Sequence, residues 1–201
     1  MPLRAHALIL AAGQSRRFGG GKLHALYRDR PLLSYVLAVA RVARARGLVE
    51  GGHIVLAADD DRGLALAHAD GLNPVINHAP DRGLSHSLKL GLVVLEAVPL
   101  VESALVFLGD QPLVRQDVVE ALVAAGRGQI VRPRYEGQPN TPGHPVLLPR
   151  SIWERARQLE GDHGFRDLIS SLPDTVTIDV KGDNPDIDTQ ADLNALEGLS
   201  R

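Results

Sequence analysis

Residues 8 to 22 read LILAAGQSRRFGGGK. An apolar run ends at Gly13 and gives way to Arg16, Arg17, three consecutive glycines and Lys22. Glycines let backbone N–H groups converge on an anion without Cβ clashes, and the cations add full charge. The composition suits a polyphosphate. Two familiar phosphate loops nevertheless fail on spacing. A Walker A loop needs Ser or Thr after its Gly-Lys, whereas Leu23 follows Lys22, and Arg16 stands where its first glycine belongs. The G-x-G-x-x-G dinucleotide fingerprint fails because Ser15 lies two residues after Gly13. A flexible basic surface loop is the plainer account of the same residues.

Two acidic stretches compete with that plainer account. SALVFLGDQP, 103 to 112, carries Gly109-Asp110 at the end of a strand-like run. A carboxylate there suits Mg²⁺, a hard cation that shares its shell between carboxylate and phosphate oxygens. A helix N-cap is the simpler role for Asp110. NPDIDTQADL, 184 to 193, offers Asp186 and Asp188. Only one of them is expected to join Asp110 on a metal, with the other facing away. Thr189 and Asp192 have the spacing of a short-armed capping box for a last helix. Ser85 and Ser87 flank a helix start whose free N–H groups favour an anion, although capping alone explains one of them. No HExxH spacing or histidine cluster suggests zinc.

The elements that must position these residues alternate. Strand-like runs lie at 5–12, 53–58, 73–77, 103–110 and 128–133, and helical spacing recurs at 30–45, 60–70, 85–98 and 117–125. The runs are continuous rather than alternating, so both sheet faces are covered. Strand and helix in turn mean crossover units and a mostly parallel sheet with helices on both faces. The loop from Gly13 to Lys22 then lies beyond the carboxyl end of a strand, where open α/β sheets bind ligands. Later strands are expected at 145–149 and 175–180, the latter at an edge or antiparallel. Helices are expected near 150–159, 164–171 and 190–197. No linker or internal repeat divides the chain.

Composition narrows the classes. The chain has 201 residues, is 44% hydrophobic and carries a formal net charge of -2, so no global field draws it to nucleic acid or an anionic membrane. It has no cysteine, which excludes disulfides, thiolate metal sites and a cysteine nucleophile. No segment has the apolar length of a membrane span. The early apolar run is at the short limit for a signal peptide and its flank is barely basic, so a cytoplasmic protein is expected.

Taken together, these stretches resemble the molybdenum cofactor nucleotidyltransferases, closest to the CTP:molybdopterin cytidylyltransferase branch. The family pattern LAAGxSxRMGxxK appears as LAAGQSRRFGGGK, with Phe18 in place of methionine. GDQP stands at 109–112, the later G-x-P segment as GHPVLLP at 143–149, GDxGxR as GDHGFR at 161–166, and DIDTPEDL as DIDTQADL at 186–193. The resemblance covers nearly the whole chain in the family's order. It implies one Rossmann-like nucleotidyltransferase domain over 1–201, with a nucleotide-binding half to about 133 and an acceptor-binding half from about 134. It implies nucleotide contacts from Leu10, Ala11, Ala12, Gly13, Ser15, Arg17, Lys22, Ser85, Ser87, Gly109 and Asp110. Ala11-Ala12-Gly13 is associated with CTP, and Leu-Gly-Gly with GTP. Arg17, Lys22 and Asp110 are the implied catalytic residues. His144, Asp162 and Arg166 are implied at the acceptor, and Asp110 at Mg²⁺, for which Mn²⁺ can substitute, with Asp188 preferred over Asp186 as the second ligand and Asp186 expected to face away.

The expected reaction is cytidylyl transfer from CTP to a phosphorylated acceptor of molybdopterin type, releasing pyrophosphate. A molybdoenzyme or its chaperone would receive the product. The alternatives are a relative using GTP, or another acceptor such as a sugar or isoprenoid-precursor phosphate, and a non-catalytic cofactor-delivery protein.

Overall fold

Ala5–Ala11 forms β1, and all seven of its residues are buried. Such a strand needs cover on both faces and a partner on both edges. It is central in the computed structural model, which describes residues 3–140, 143–161 and 175–198. After β1 a two-stranded hairpin, β2 (Leu26–Tyr27) and β3 (Arg30–Pro31), leads into helix α1 (Leu32–Ala45). β4 (Gly51–Ala57), α2 (Asp61–Ala69), β5 (Asn73–Asn77), α3 (Leu84–Glu96) and β6 (Ser103–Leu108) follow. The chain continues through α4 (Gln116–Ala125), β7 (Val131–Tyr135), β8 (Val146–Pro149), α5 (Trp153–Arg157), β9 (Val176–Val180) and α6 (Gln190–Gly198).

Among the described residues the main sheet has seven strands in the order β5-β4-β1-β6-β8-β7-β9. β5, β4, β1 and β6 pair in parallel. β8 runs antiparallel to both β6 and β7, and β7 pairs in parallel with β9. The sheet is therefore mixed through one reversed strand. A run of four apolar residues buried on both faces fits either direction, and only the connection decides it. The stretch 175–180 supplies an edge strand, as one of its two expectations had it, but it pairs in parallel.

Alternation along β1 splits the core into two layers. Ala5, Ala7, Ile9 and Ala11 pack toward α1 and α4 through Leu33, Leu37, Val119 and Leu122. Leu8 and Leu10 pack toward α3 and α5 through Leu88, Leu92, Leu95 and Trp153. Gly91 in α3 lets that helix lie close on β1, because a Cβ there would sit 2.4 Å from Leu8 Cδ1. A smaller cluster of Tyr27, Leu32, Ile187, Leu193 and Leu196 seats α6 and the loop before it on the start of α1. At the start of α6, Thr189 Oγ1 accepts from Asp192 N–H while Asp192 Oδ2 accepts from Thr189 N–H at 2.6 Å, the capping box expected from the spacing. No helix among the described residues is long and apolar enough to cross a membrane.

Candidate active site

The strand order reverses beside β1. The chain leaves β1 for β4 on one side, whereas β6 adds on the other. Ligands bind at such a switch point, outside the carboxyl ends of the strands. A cleft of about 710 Å³ opens here, over the ends of β1 and β6. Its walls include Leu10 through Arg17, Lys22, Ser87, Asp110, Gln111, His144, Asp186 and Asp188.

The first loop makes two short turns, Arg16–Phe18 and Lys22–His24, separated by glycines. Gly19, Gly20 and Gly21 have φ of 88°, 98° and 64°, a backbone region that L side chains rarely adopt. This turns the chain back so that Lys22 enters the cleft while Leu23 joins the core. His24 ties the loop to α2 through a 2.6 Å contact from Nε2 to Asp60 Oδ1, and Asp60 also caps α2 by accepting from Gly63 N–H.

Lys22 Nζ donates to Asp110 Oδ2 at 2.6 Å and to Asp188 Oδ1 at 3.2 Å. Arg17 Nη2 pairs with the other oxygen of Asp188 at 2.9 Å. Burial disfavours the ammonium charge of Lys22, but attraction to Asp110 and Asp188 outweighs it and raises the pKa above the ordinary lysine value. Asp110 is held from below by backbone: its carbonyl accepts from Ile187 N–H at 3.2 Å. The cap of α4 is Arg115, so Asp110 is not a helix cap.

Asp186 departs from expectation. It does not face away but lines the same cleft. Side chains two residues apart on extended backbone share a face, and Ile187 between the two aspartates turns into the core. Asp186 is held by Gln111, whose Nε2 donates to Oδ1 at 2.6 Å. Desolvation by the surrounding protein, then the charge of Asp110, push its pKa up. Gln111 is itself held by Asn184, which donates from Nδ2 to Gln111 Oε1 and to the His144 carbonyl, both at 3.2 Å. Tyr135 donates to that carbonyl at 2.8 Å, and burial pushes its hydroxyl up to about 12.

Of the remaining expected residues, Ser87 lines the cleft and accepts from Asn77 Nδ2 at 3.0 Å, whereas Ser85 is buried and not part of the lining. Ser85 serves the fold, with its N–H donating to the Gly161 carbonyl. Gly109 also stays out of the lining and keeps β1 and β6 close, since a Cβ would meet Ala11 Cβ at 3.1 Å. Asp162 and Arg166 lie outside the described residues. Sequence reasoning missed Gln111, Asn184 and Asn77 as site-building residues. The available signal was an amide inside or beside each acidic or serine-bearing stretch, but an amide's partner is invisible without the fold.

Among the described residues no three His, Asp or Glu side chains form a ready metal cage. Mg²⁺ does not require one, because it is commonly held by one or two carboxylates plus substrate phosphates. Asp110 and Asp188, already sharing one cation, are hard oxygen donors of that kind. They fit such an ion.

The MobA-like NTP transferase domain matches residues 7–176. The chain belongs to the MobA-like NTP transferase family. The match to this MobA-like domain takes in the loop and Asp110. Among solved structures, Rv0371c from Mycobacterium tuberculosis H37Rv is 26% identical with a TM-score of 0.83, covering 98% of this chain and 100% of that one. The same protein in complex with manganese is 25% identical with a TM-score of 0.80, covering 97% and 98%. The Rv0371c homolog from Mycobacterium sp. strain JC1 is 32% identical with a TM-score of 0.82, covering 98% of each chain. The bifunctional protein GlmU of Paracidovorax citrulli (strain AAC00-1) is 38% identical over 128 residues, 60% of this chain. The MobA-like chain spans only 25% of that curated relative's length.

Proposed function

We propose that this nucleotidyltransferase moves a nucleotidyl group from a nucleoside triphosphate to a phosphorylated acceptor and releases pyrophosphate. The observation that carries the proposal is the meeting of two cations with two carboxylates at the switch point: Lys22 and Arg17 facing Asp110 and Asp188 in an open cleft. Such a site combines anion neutralisation with hard-cation ligands, which phosphoryl-type transfer needs more than a covalent nucleophile. An acceptor phosphate oxygen forms a bond to the α-phosphorus as the bond from that phosphorus to the bridging oxygen of pyrophosphate breaks. The acceptor is already ionised, so no general base is needed. Lys22 and Arg17 offset charge that gathers on the leaving pyrophosphate. Ala11, Ala12, Gly13 and Ser87, which line the cleft, would contact the nucleotide, and His144, also in the lining, the acceptor.

Asp110 and Asp188 would hold the metal, with Mn²⁺ a reasonable substitute given the manganese complex of Rv0371c. Bound there, Mg²⁺ supplies charge neutralisation and a common template for phosphate oxygens. The proposed division of labour runs from a nucleotide-binding half, to about residue 133, to an acceptor-binding half after it.

The relatives favour this broad reading over CTP:molybdopterin chemistry in particular. The alternative reading takes GTP in place of CTP, or another acceptor such as a sugar or isoprenoid-precursor phosphate in place of the pterin. CTP with a molybdopterin-type phosphate is the narrower form. A matrix of the four nucleoside triphosphates against phosphorylated acceptors, read by pyrophosphate release, tests both. Acceptor-dependent release in any cell supports nucleotidyl transfer, and release confined to CTP with the pterin restores the narrower form. Nucleotide binding without release in every cell overturns transfer in favour of a binding or delivery protein.

A further inference from the structure

Lys22 stands where the two metal-ligand candidates converge. Its ammonium lies 2.6 Å from Asp110 Oδ2 and 3.2 Å from Asp188 Oδ1, and the residue is only 9% exposed. An ammonium already on these oxygens puts a full positive charge where a cation shared by both carboxylates would sit, and the two repel. Asp188's other oxygen is taken by Arg17. Both carboxylates are thus neutralised internally, and Asp186, the third acid of the cleft, is held by Gln111 instead. The three glycines before Lys22 have no heavy atom within 4 Å of where a Cβ would be, so the backbone leading to the lysine is uncrowded.

We propose that Lys22 is a place-holding counter-ion: it occupies the divalent-cation position in the free protein and gives it up when a triphosphate draws the ammonium away. This rests on the nucleotidyl-transfer reading for the identity of the anion, but not for the exchange itself. Two cations compete for one pair of carboxylates, and a polyanion that binds one of them admits the other. Metal and nucleotide therefore bind with positive coupling, and the coupling is reciprocal. A free divalent ion alone meets a site that already has its positive charge.

The test uses Mn²⁺ alone as probe, with the full chain and no acceptor, read by electron paramagnetic resonance of free Mn²⁺. The parent should bind weakly. Lys22→Met, which keeps length and removes charge, should bind at least about tenfold more tightly, since one unit charge at hydrogen-bond distance is withdrawn from the site. Lys22→Gln should move in the same direction, which guards against a folding defect in the first variant. Adding Asp110→Asn to Lys22→Met should abolish the gain. A non-hydrolysable nucleotide should tighten Mn²⁺ binding in the parent and much less in Lys22→Met. Neutral variants that bind Mn²⁺ no better than the parent, or a gain that survives Asp110→Asn, overturn the counter-ion role. A gain without any nucleotide effect in the parent leaves that role standing and overturns the nucleotide reading.

Discussion

Asn184→Ala probes the scaffold under the acidic wall. Asn184 is 1% exposed and donates two hydrogen bonds, to Gln111 Oε1 and to the His144 carbonyl. Each is worth about 0.5–1.5 kcal/mol net. The losses are unequal. The His144 carbonyl keeps its bond from Tyr135, so little is left unsatisfied there. Gln111 is 5% exposed, and its Oε1 loses the Asn184 amide, a desolvation penalty of about 1–3 kcal/mol. Part of this is recovered, because Asn184 Oδ1 is a buried acceptor without a hydrogen-bond partner and disappears with the substitution. The balance is a destabilisation of about 1–2 kcal/mol. For a chain of this size that lowers Tm by roughly 2–8 °C. Asn184→Asp keeps the shape but cannot donate when ionised, and it aims a carboxylate at two oxygens. It should cost more than the alanine. Thermal unfolding followed by circular dichroism, with urea titration to confirm, measures both. If both variants melt within 1 °C of the parent, the amide chain from Asn184 through Gln111 to Asp186 carries no weight, and the reasoning is refuted.

Three further outcomes follow from the same geometry. Asp110→Asn and Asp188→Asn should each raise the Mg²⁺ concentration for half-maximal rate by at least about tenfold, and Asp186→Asn by less, since one charged ligand is lost at the Lys22 site in the first two only; a larger shift for Asp186 in a magnesium titration would reverse the assignment. Gly91→Ala should destabilise by about 1–2 kcal/mol, because overpacking against fully buried Leu8 outweighs the gain of about 1 kcal/mol in helix propensity; a variant as stable as the parent in urea would show that Leu8 can move aside. His6 and His53 stack 6.0 Å apart, and their Nδ1 atoms are buried without hydrogen-bond partners. Burial lowers both pKa values below 6.5, with Glu50 partly opposing and Arg4 reinforcing this at His6, and with His6 reinforcing it at His53. The unfolded chain then binds more protons than the folded one below that pH, so their stabilising contribution is present above about 6.5 and lost as pH falls through the folded values, by at most about 1.4 kcal/mol per pH unit for each group. The double variant His6→Gln, His53→Gln should flatten the difference in urea stability between pH 7.5 and 5, and an unchanged slope would argue that the pair is not responsible.

Local sequence alone determined much of this protein. Period and run length placed β1, α1, β5, β6 and α4 within a few residues, because burial on one face or two leaves its mark on the chain itself. The Thr189–Asp192 box was legible for the same reason: both partners lie within one helical turn. The Gly-rich loop and Asp110 were legible as chemistry at strand ends, and the acidic stretch as chemistry before a helix, but without their contacts. Only the tertiary structure decided that Lys22 meets Asp110 from 88 residues away and Asp188 from 166. That meeting depends on β6 pairing beside β1, a long-range choice that no window of sequence contains. Structure also reversed β8, whose short apolar run carries no direction, and brought Asp186 into the cleft by burying Ile187 beside it. The amides of Gln111 and Asn184 gained their meaning in the same way. A hydrogen bond between groups 73 residues apart follows from how the layers pack, and polar residue types alone do not encode it.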